Sequence, residues 1–236
     1  MDVKEIDVLG EDIDRHWYYR TKANLMTRAL DGVAVSRVLD VGAGSGFFSR
    51  HVLETTAARE ALCVDPNYAE EHDETVNGKP LAFRRTAVDF DADLILMMDV
   101  LEHVDDDVGL LQGYSAANPR ALVLITVPAF EFLWSGHDVF LDHKRRYTLD
   151  TLAPVVRSAG LDVVWAGYGF APVLPIAAAL RLLDNALGKG DAPQSQLKRH
   201  HPLVNAALYG LCALERPLFR ANRLGGLSAF CLAKRG

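Results

Sequence analysis

VLDVGAGSGFFS, residues 38–49, joins an apolar run to a helical one through three closely spaced glycines. The run before it, SRVLDV at 36–41, is apolar and β-branched and reads as a buried strand. Gly42, Gly44 and Gly46 break the strand, and a helix resumes over 47–55. Without a Cβ, these glycines let the backbone turn sharply and approach a ligand closely. The strand delivers Asp40 to its carboxyl end, the edge at which open α/β sheets bind ligands. The spacing is G-x-G-x-G rather than the dinucleotide G-x-G-x-x-G, and the following helix lacks the P-loop Lys-Ser/Thr pair.

Working outward, strands and helices alternate. ALCVD at 61–65 reads as a second strand, stopped by Pro66. It ends on Asp65, about 20 residues past the loop, where an acidic side chain suits the ribose of an adenosine-containing cofactor. LILMMD at 94–99 is another apolar strand, running into DVLEHVDDD at 99–107. Residues 101–117 look helical up to Asn118-Pro119, and ALVLITV at 121–127 is a strand stopped by Pro128. Thr148 can cap a helix over 148–159, with Gly160 as its stop. Strands at 161–168 and 227–234 complete the series. This alternation predicts a mainly parallel sheet with helices on both faces.

Two segments lie outside it. Residues 11–31 read as an amphipathic helix before the core, and residues 169–227 as a long, mostly helical insertion before the last strand. The insertion's apolar stretch at 171–183 contains Pro172, Pro175 and Arg181, and is too short and interrupted to span a bilayer.

Composition narrows the class. The 236 residues are half apolar and 24% charged, enough for one sizeable core in a soluble protein. Three scattered cysteines argue against a disulfide scaffold or zinc site and fit a reducing, cytoplasmic compartment. The acidic residues 1–14 carry no secretory signal pattern. The net charge of −6 is unevenly spread: residues 181–236 hold nine Lys and Arg against three Asp and Glu. No basic stripe interleaved with aromatics suggests nucleic acid. The oligomeric state has no signal in the sequence.

At this point a resemblance is plain. VLDVGAGSG, CVDPNY and LMMDVLEHVDDD are similar to the cofactor motifs of the class I S-adenosylmethionine (SAM) dependent methyltransferase superfamily. More narrowly, they resemble its ubiquinone-type O-methyltransferase branch. The resemblance covers about residues 35–168 and the last strand. It implies a Rossmann-like, seven-stranded, mainly parallel sheet with the last strand antiparallel. With the chain length and the pattern outside the motifs, the expectation is one domain over 1–236: a cap helix at 11–34, a cofactor-binding core at 35–168, the helical insertion at 169–227 and the final strand at 228–235. By motif, Gly42, Gly44 and Gly46 would line the amino-acid part of SAM. Asp40 would organise that loop, Asp65 would hold the ribose, and Asp99 would sit beside the cofactor. The family's Gly-Asp pair near the adenine is absent. TAVDFDAD at 86–93 stands there, with Asp89 as its candidate.

Acceptor chemistry falls to VPAFEFLWSGHDVFLDHKRRYT, residues 127–148, at the same sheet edge. It offers an apolar wall including Trp134, two imidazoles (His137 and His143) and the trio Arg145, Arg146 and Tyr147. A neutral imidazole can take a proton from an attacking hydroxyl, and Arg can pair with a carboxylate or phosphate. Structural alternatives stay open: His137 bonding a loop carbonyl, the arginines pairing with Asp138 or Asp142, and His103 satisfied within the fold. HWYYR at 16–20 brings Tyr18 toward the substrate cleft, or packs it on the sheet. Methyl transfer needs no metal, and His137, Asp138 and His143 are not a recognisable ligand set, so no metal is expected.

The expected activity is therefore SAM-dependent methylation, on oxygen, of a small-molecule or lipid-like acceptor, with His137 or His143 as base. The apolar, basic insertion, with Lys189, Lys198, Arg199, Arg216, Arg220 and Arg223, suits peripheral contact with an anionic membrane. A packed subdomain or a dimer interface is the competing reading of that surface. A non-catalytic SAM-binding scaffold is the alternative function, because fold does not fix chemistry.

Overall fold

The computed structural model describes residues 10–87, 89–186, 195 and 199–236. Its centre is β1 (Arg37–Val41), flanked by β2 (Glu60–Val64) and β5 (Leu94–Met98), both parallel to it. Leu39 lies between Leu62 and Ile95 in register. Side chains alternate along the strand. Val38 packs into a core on one face, and Leu39 and Val41 into a second core on the other. That two-sided burial is why the strand is apolar throughout rather than alternating.

The sheet order is β3-β4-β2-β1-β5-β6-β8-β7. β4 (Lys79–Arg84) and β6 (Leu122–Pro128) extend the parallel set, while β8 (Ser228–Arg235) runs antiparallel to β6 and to β7 (Leu161–Gly169). β3 (His72–Val76) returns antiparallel on β4. The turn between them is Asn77-Gly78, with φ of 50° and 78°, the left-handed pair of a tight hairpin. The sheet thus has eight strands, one more than the seven expected. HDETV is polar and half-exposed, so no apolar pattern marks β3.

α1 (Trp17–Ala29), α2 (Phe47–Thr55) and α7 (Pro202–Ala213) cover one face through Tyr19, Leu25, Phe48, Leu53 and Cys212. α3 (Asp107–Ala117) and α5 (Leu149–Ser158) cover the other through Leu111, Leu152 and Val156. α4 (Gly136–Phe140) is a short turn of helix after β6, and α6 (Leu174–Ala186) precedes α7 between β7 and β8. Two expected helices are shorter than predicted. The first opens as a 3-10 turn at Gly10–Arg15, and the third is preceded by a separate 3-10 turn at Leu101–His103. Asp106 caps α3 by accepting from Gly109 N, which starts that helix later than its apolar pattern does.

The chain runs outward from β1 to β2 and β4, then crosses back to β5 on β1's other side. The reversal opens a crevice at the carboxyl ends of β1 and β5, where such sheets bind ligands. Among the described residues, no helix is long and apolar enough to cross a membrane.

Candidate active site

The glycine loop forms one wall of that crevice. Gly42, Gly44 and Gly46 all adopt left-handed backbone, with φ of 65°, 54° and 74°. A Cβ on Gly42 would lie 2.8 Å from a Val100 methyl, and one on Gly46 would lie 2.7 Å from the Phe83 ring. Behind the loop, Asp40 is buried; its Oδ2 accepts from Ser49 Oγ at 2.8 Å, while its Oδ1 is buried without a partner among the described residues. Burial pushes the Asp40 carboxyl up to about 6, against the pull of the Ser49 hydrogen bond. Asp65 closes the loop from β2: its carboxylate accepts from Gly44 N at 3.1 Å and from Asn67 N at 2.9 Å.

Across the crevice, Asp99 follows β5 with φ of 57°. Its amide donates to the Thr126 carbonyl at 2.9 Å. Its carboxylate accepts from Thr126 Oγ1 at 3.2 Å and from the Lys22 ammonium. Lys22 comes from α1, is fully buried, and also donates to Tyr18 Oη at 2.9 Å. Burial alone would lower the Lys22 pKa, but the Asp99 carboxylate outweighs it and holds the ammonium charged. Likewise burial would raise Asp99, and Lys22 holds it below the usual carboxylate range. The Tyr18 ring stacks on Phe170 at 5.0 Å, so α1 closes this side.

The segment after β6 folds back on the same edge. Phe130 N donates to the Tyr147 carbonyl at 2.9 Å, and Tyr147 N to the Pro128 carbonyl at 3.0 Å. Asp138, fully buried on α4, is its hub. It accepts from Ser135 N at 2.9 Å, Arg146 Nε at 2.8 Å, Arg146 Nη2 at 2.9 Å and His143 Nδ1 at 2.9 Å. Against its burial, His143 and Arg146 hold the Asp138 carboxyl well below the usual range. The hub ties to β5's end through Lys144 N, which donates to the Glu102 carbonyl at 2.8 Å. The His103 and His143 rings meet edge to face at 4.7 Å.

A family model described as a methyltransferase domain matches residues 14–166, more than half of the chain, from α1 through most of β7, leaving out α6, α7 and β8. The chain belongs to this methyltransferase domain family. It is a SAM-dependent methyltransferase. Solved structures agree on the fold. A chain of the complex between the Haloferax volcanii Trm112 methyltransferase activator and a methyltransferase is 18% identical, with a TM-score of 0.55 over 98% of this chain and 92% of that one. A protein assigned as a sarcosine dimethylglycine methyltransferase from Galdieria sulphuraria is 14% identical, with a TM-score of 0.53 over 92% and 85%. The [4+2]-cyclase SpnF, 12% identical, has a TM-score of 0.54 over 92% and 81%. No curated protein matches.

Within the methyltransferase, the structure redistributes several expected roles. Arg146 is buried with all three guanidinium nitrogens bonded to the protein, Nη1 to the Ala129 carbonyl at 2.9 Å. It clamps the loop rather than reaching a substrate. Tyr147 is buried too, its hydroxyl donating to Asp107 Oδ2 at 2.8 Å. Arg145 pairs with the same Asp107 at 3.2 Å and donates to the Val104 carbonyl at 3.0 Å, which staples the loop to the 3-10 turn. Trp134 is half-buried beside α4. Asp89 stands exposed between β4 and β5, with no hydrogen bond to another described residue. His137 is pushed down to about 3, chiefly by burial, and is a poor proton acceptor at neutral pH.

Three site residues escaped sequence reasoning. Lys22 lies four residues from Tyr18, a charge set inside the apolar stripe of α1. Glu102, three residues past Asp99, is fully buried. Arg181 of α6 is buried and donates to the Leu133 carbonyl at 2.9 Å, and its pKa is lowered to about 10 by burial and by Arg146. Lys189 and Lys198, and residues 1–9, lie outside the described residues.

Proposed function

We propose that this methyltransferase methylates a hydroxyl of a small or lipid-like molecule held between the glycine loop and His143. The donor side fits SAM on its own features. Among the described residues Asp40 Oδ1 is a buried acceptor without a partner, and the left-handed glycines keep the loop bare of side chains, packed so closely at Gly42 and Gly46 that a Cβ would strike Val100 and Phe83. Gly42, Gly44 and Gly46 would line the amino-acid portion, Asp40 would order that loop, Asp65 would accept from the ribose, and Asp99 would flank the donor. Bound SAM supplies a methyl group already activated on a sulfonium. The protein's contribution is then alignment and exclusion of water. Tyr18 and Trp134 wall the acceptor side, and α1 and the α4 loop shut it from solvent.

The observation that carries the hydroxyl reading is the His143–Asp138 hydrogen bond beside Glu102. Asp138 fixes the ring with Nδ1–H inward, so the lone pair of Nε2 is left for the acceptor. The hydroxyl loses its proton at His143; burial lowers the His137 pKa to about 3, which disfavours His137 for that task. The exposed leucines of the insertion support a lipid-like acceptor. Leu180, Leu183 and Leu203 are 58%, 59% and 75% exposed, and Arg220 and Arg223 lie in the same segment.

The test has two stages. Calorimetric titration with SAM should show micromolar binding that Asp65→Ala weakens. Hydroxylated acceptors are then screened, and His143→Ala should lower kcat by about 10²–10⁴-fold with SAM affinity kept. Unchanged kcat in that variant would remove the base from His143.

A further inference from the structure

Glu102 is fully buried, yet among the described residues neither of its carboxylate oxygens has a hydrogen-bond partner. A buried polar group in that state calls for a partner outside the chain, such as water or an ion. The Lys22 ammonium is already committed to Asp99 and Tyr18.

The side chains around Glu102 are metal-ligand types. One donor atom each from Glu102, His103 and His143 lie within 4.8 Å of one another. Donors sharing one tetrahedral ion at bonds near 2.1 Å stand about 3.4 Å apart, a gap that small side-chain rotations close. The His143 imidazole is also braced from behind. His143 Nδ1–H donates to Asp138 Oδ1 at 2.9 Å, which leaves Nε2 to ligate. The His103 ring packs edge to face on His143 at 4.7 Å. Outer N–H groups held by a carboxylate or a carbonyl are the usual support of metal-binding histidines. Asp138 is itself locked by Ser135 and Arg146, so the brace is rigid. The Glu102 carboxylate is buried and the His143 side chain is only 6% exposed, so a fourth ligand would approach from the side of the half-buried His103.

We infer that Glu102, His103 and His143 bind one first-row divalent cation, of the zinc, cobalt(II) or manganese(II) class. Two imidazoles and one carboxylate suit such ions and leave a coordination position open. This replaces the expectation of no metal, and also the His137–Asp138–His143 set, since Asp138 stands behind His143 instead of ligating. The ion would hold the acceptor's oxygen and lower the pKa of its hydroxyl, whose proton leaves to water, with His143 acting through the ion. That role keeps the hydroxyl acceptor proposed above but not proton transfer to His143, whose Nε2 cannot hold the ion and take the proton at once; the binding itself rests on neither.

The experiment uses the full chain, freed of any affinity tag and stripped with chelator. Zinc(II) is titrated by calorimetry, and metal content after gel filtration is read by plasma mass spectrometry. The expected result is about one equivalent per chain, and visible d–d bands on cobalt(II) loading. Glu102→Gln and His143→Asn should each weaken zinc binding by about tenfold or more, while exposed His72→Asn should not. Melting curves and SAM titration on each variant separate loss of the site from loss of the fold. Should Glu102→Gln not fold, His103→Asn takes its place. Binding well below one equivalent, or zinc binding that survives in both variants as an adventitious ion only, overturns the inference. Zinc bound at this site without any methyl transfer supports the inference while counting against the acceptor reading. SAM-dependent turnover without metal binding does the reverse.

Discussion

The Asp138 carboxylate accepts from the Ser135 amide, the Arg146 guanidinium and the His143 imidazole at once, inside the protein. Removing its charge leaves the Arg146 cation buried without a counter-ion. Asp138→Asn should cost about 3–5 kcal/mol of stability, read as a lowered denaturant midpoint, because breaking a buried pair strands the partner charge. Asp40 makes the opposite kind of prediction. Its carboxyl sits at about 6 in the folded chain, above its ordinary value, so the folded state holds the proton better. That stabilisation is complete below about pH 4 and is lost as pH rises through about 6. The parent should therefore lose up to about 3 kcal/mol relative to Asp40→Asn across that interval, measured by urea unfolding at several pH values. Asp40 and Asp65 were legible because a motif put each at a strand end. Glu102 and Lys22 were not, because a charged residue in sequence looks solvated until packing buries it.

Elements show the same division. β1 and β5 are apolar runs covered on both faces, and the glycine loop between strand and helix declares its own turn. Gly46→Ala places an L residue at φ of 74° with its Cβ against the Phe83 ring. The variant should lose about 1–3 kcal/mol and most of its SAM affinity, as shown by thermal melts and titration. Equal SAM affinity would mean the cradle is not the donor site. β3 passed unread despite Asn77-Gly78, because its residues are polar and its partner strand is only half-buried. The 3-10 turn at Leu101–His103 was merged with α3, since no glycine or proline marks a break between them; the Asp106 cap separates them.

At the scale of the whole molecule, the crossover from β4 to β5 opens the crevice and brings α1, the glycine loop and the α4 loop to one edge. SpnF shares this fold under the name of a cyclase, which shows that the sheet alone does not choose the reaction. The insertion exposes Leu180, Leu183, Leu203 and, at 96%, Leu224. If that surface meets lipid, the protein should float with anionic vesicles at low salt and less so as salt rises; Leu180→Ser with Leu183→Ser should reduce flotation. No flotation under either condition would point instead to a packed subdomain or a protein partner. The alternation of strands and helices, the glycine loop and the acidic strand ends were all readable along the chain, because each depends on local periodicity and on backbone conformations that few residues tolerate. Which of the loop's histidines and arginines face a substrate, and which hold each other, was decided by tertiary structure. Asp138 could pair with any of its neighbours in sequence; only folding buries it against both Arg146 and His143, and burial is what turns nearby charges into fixed partners.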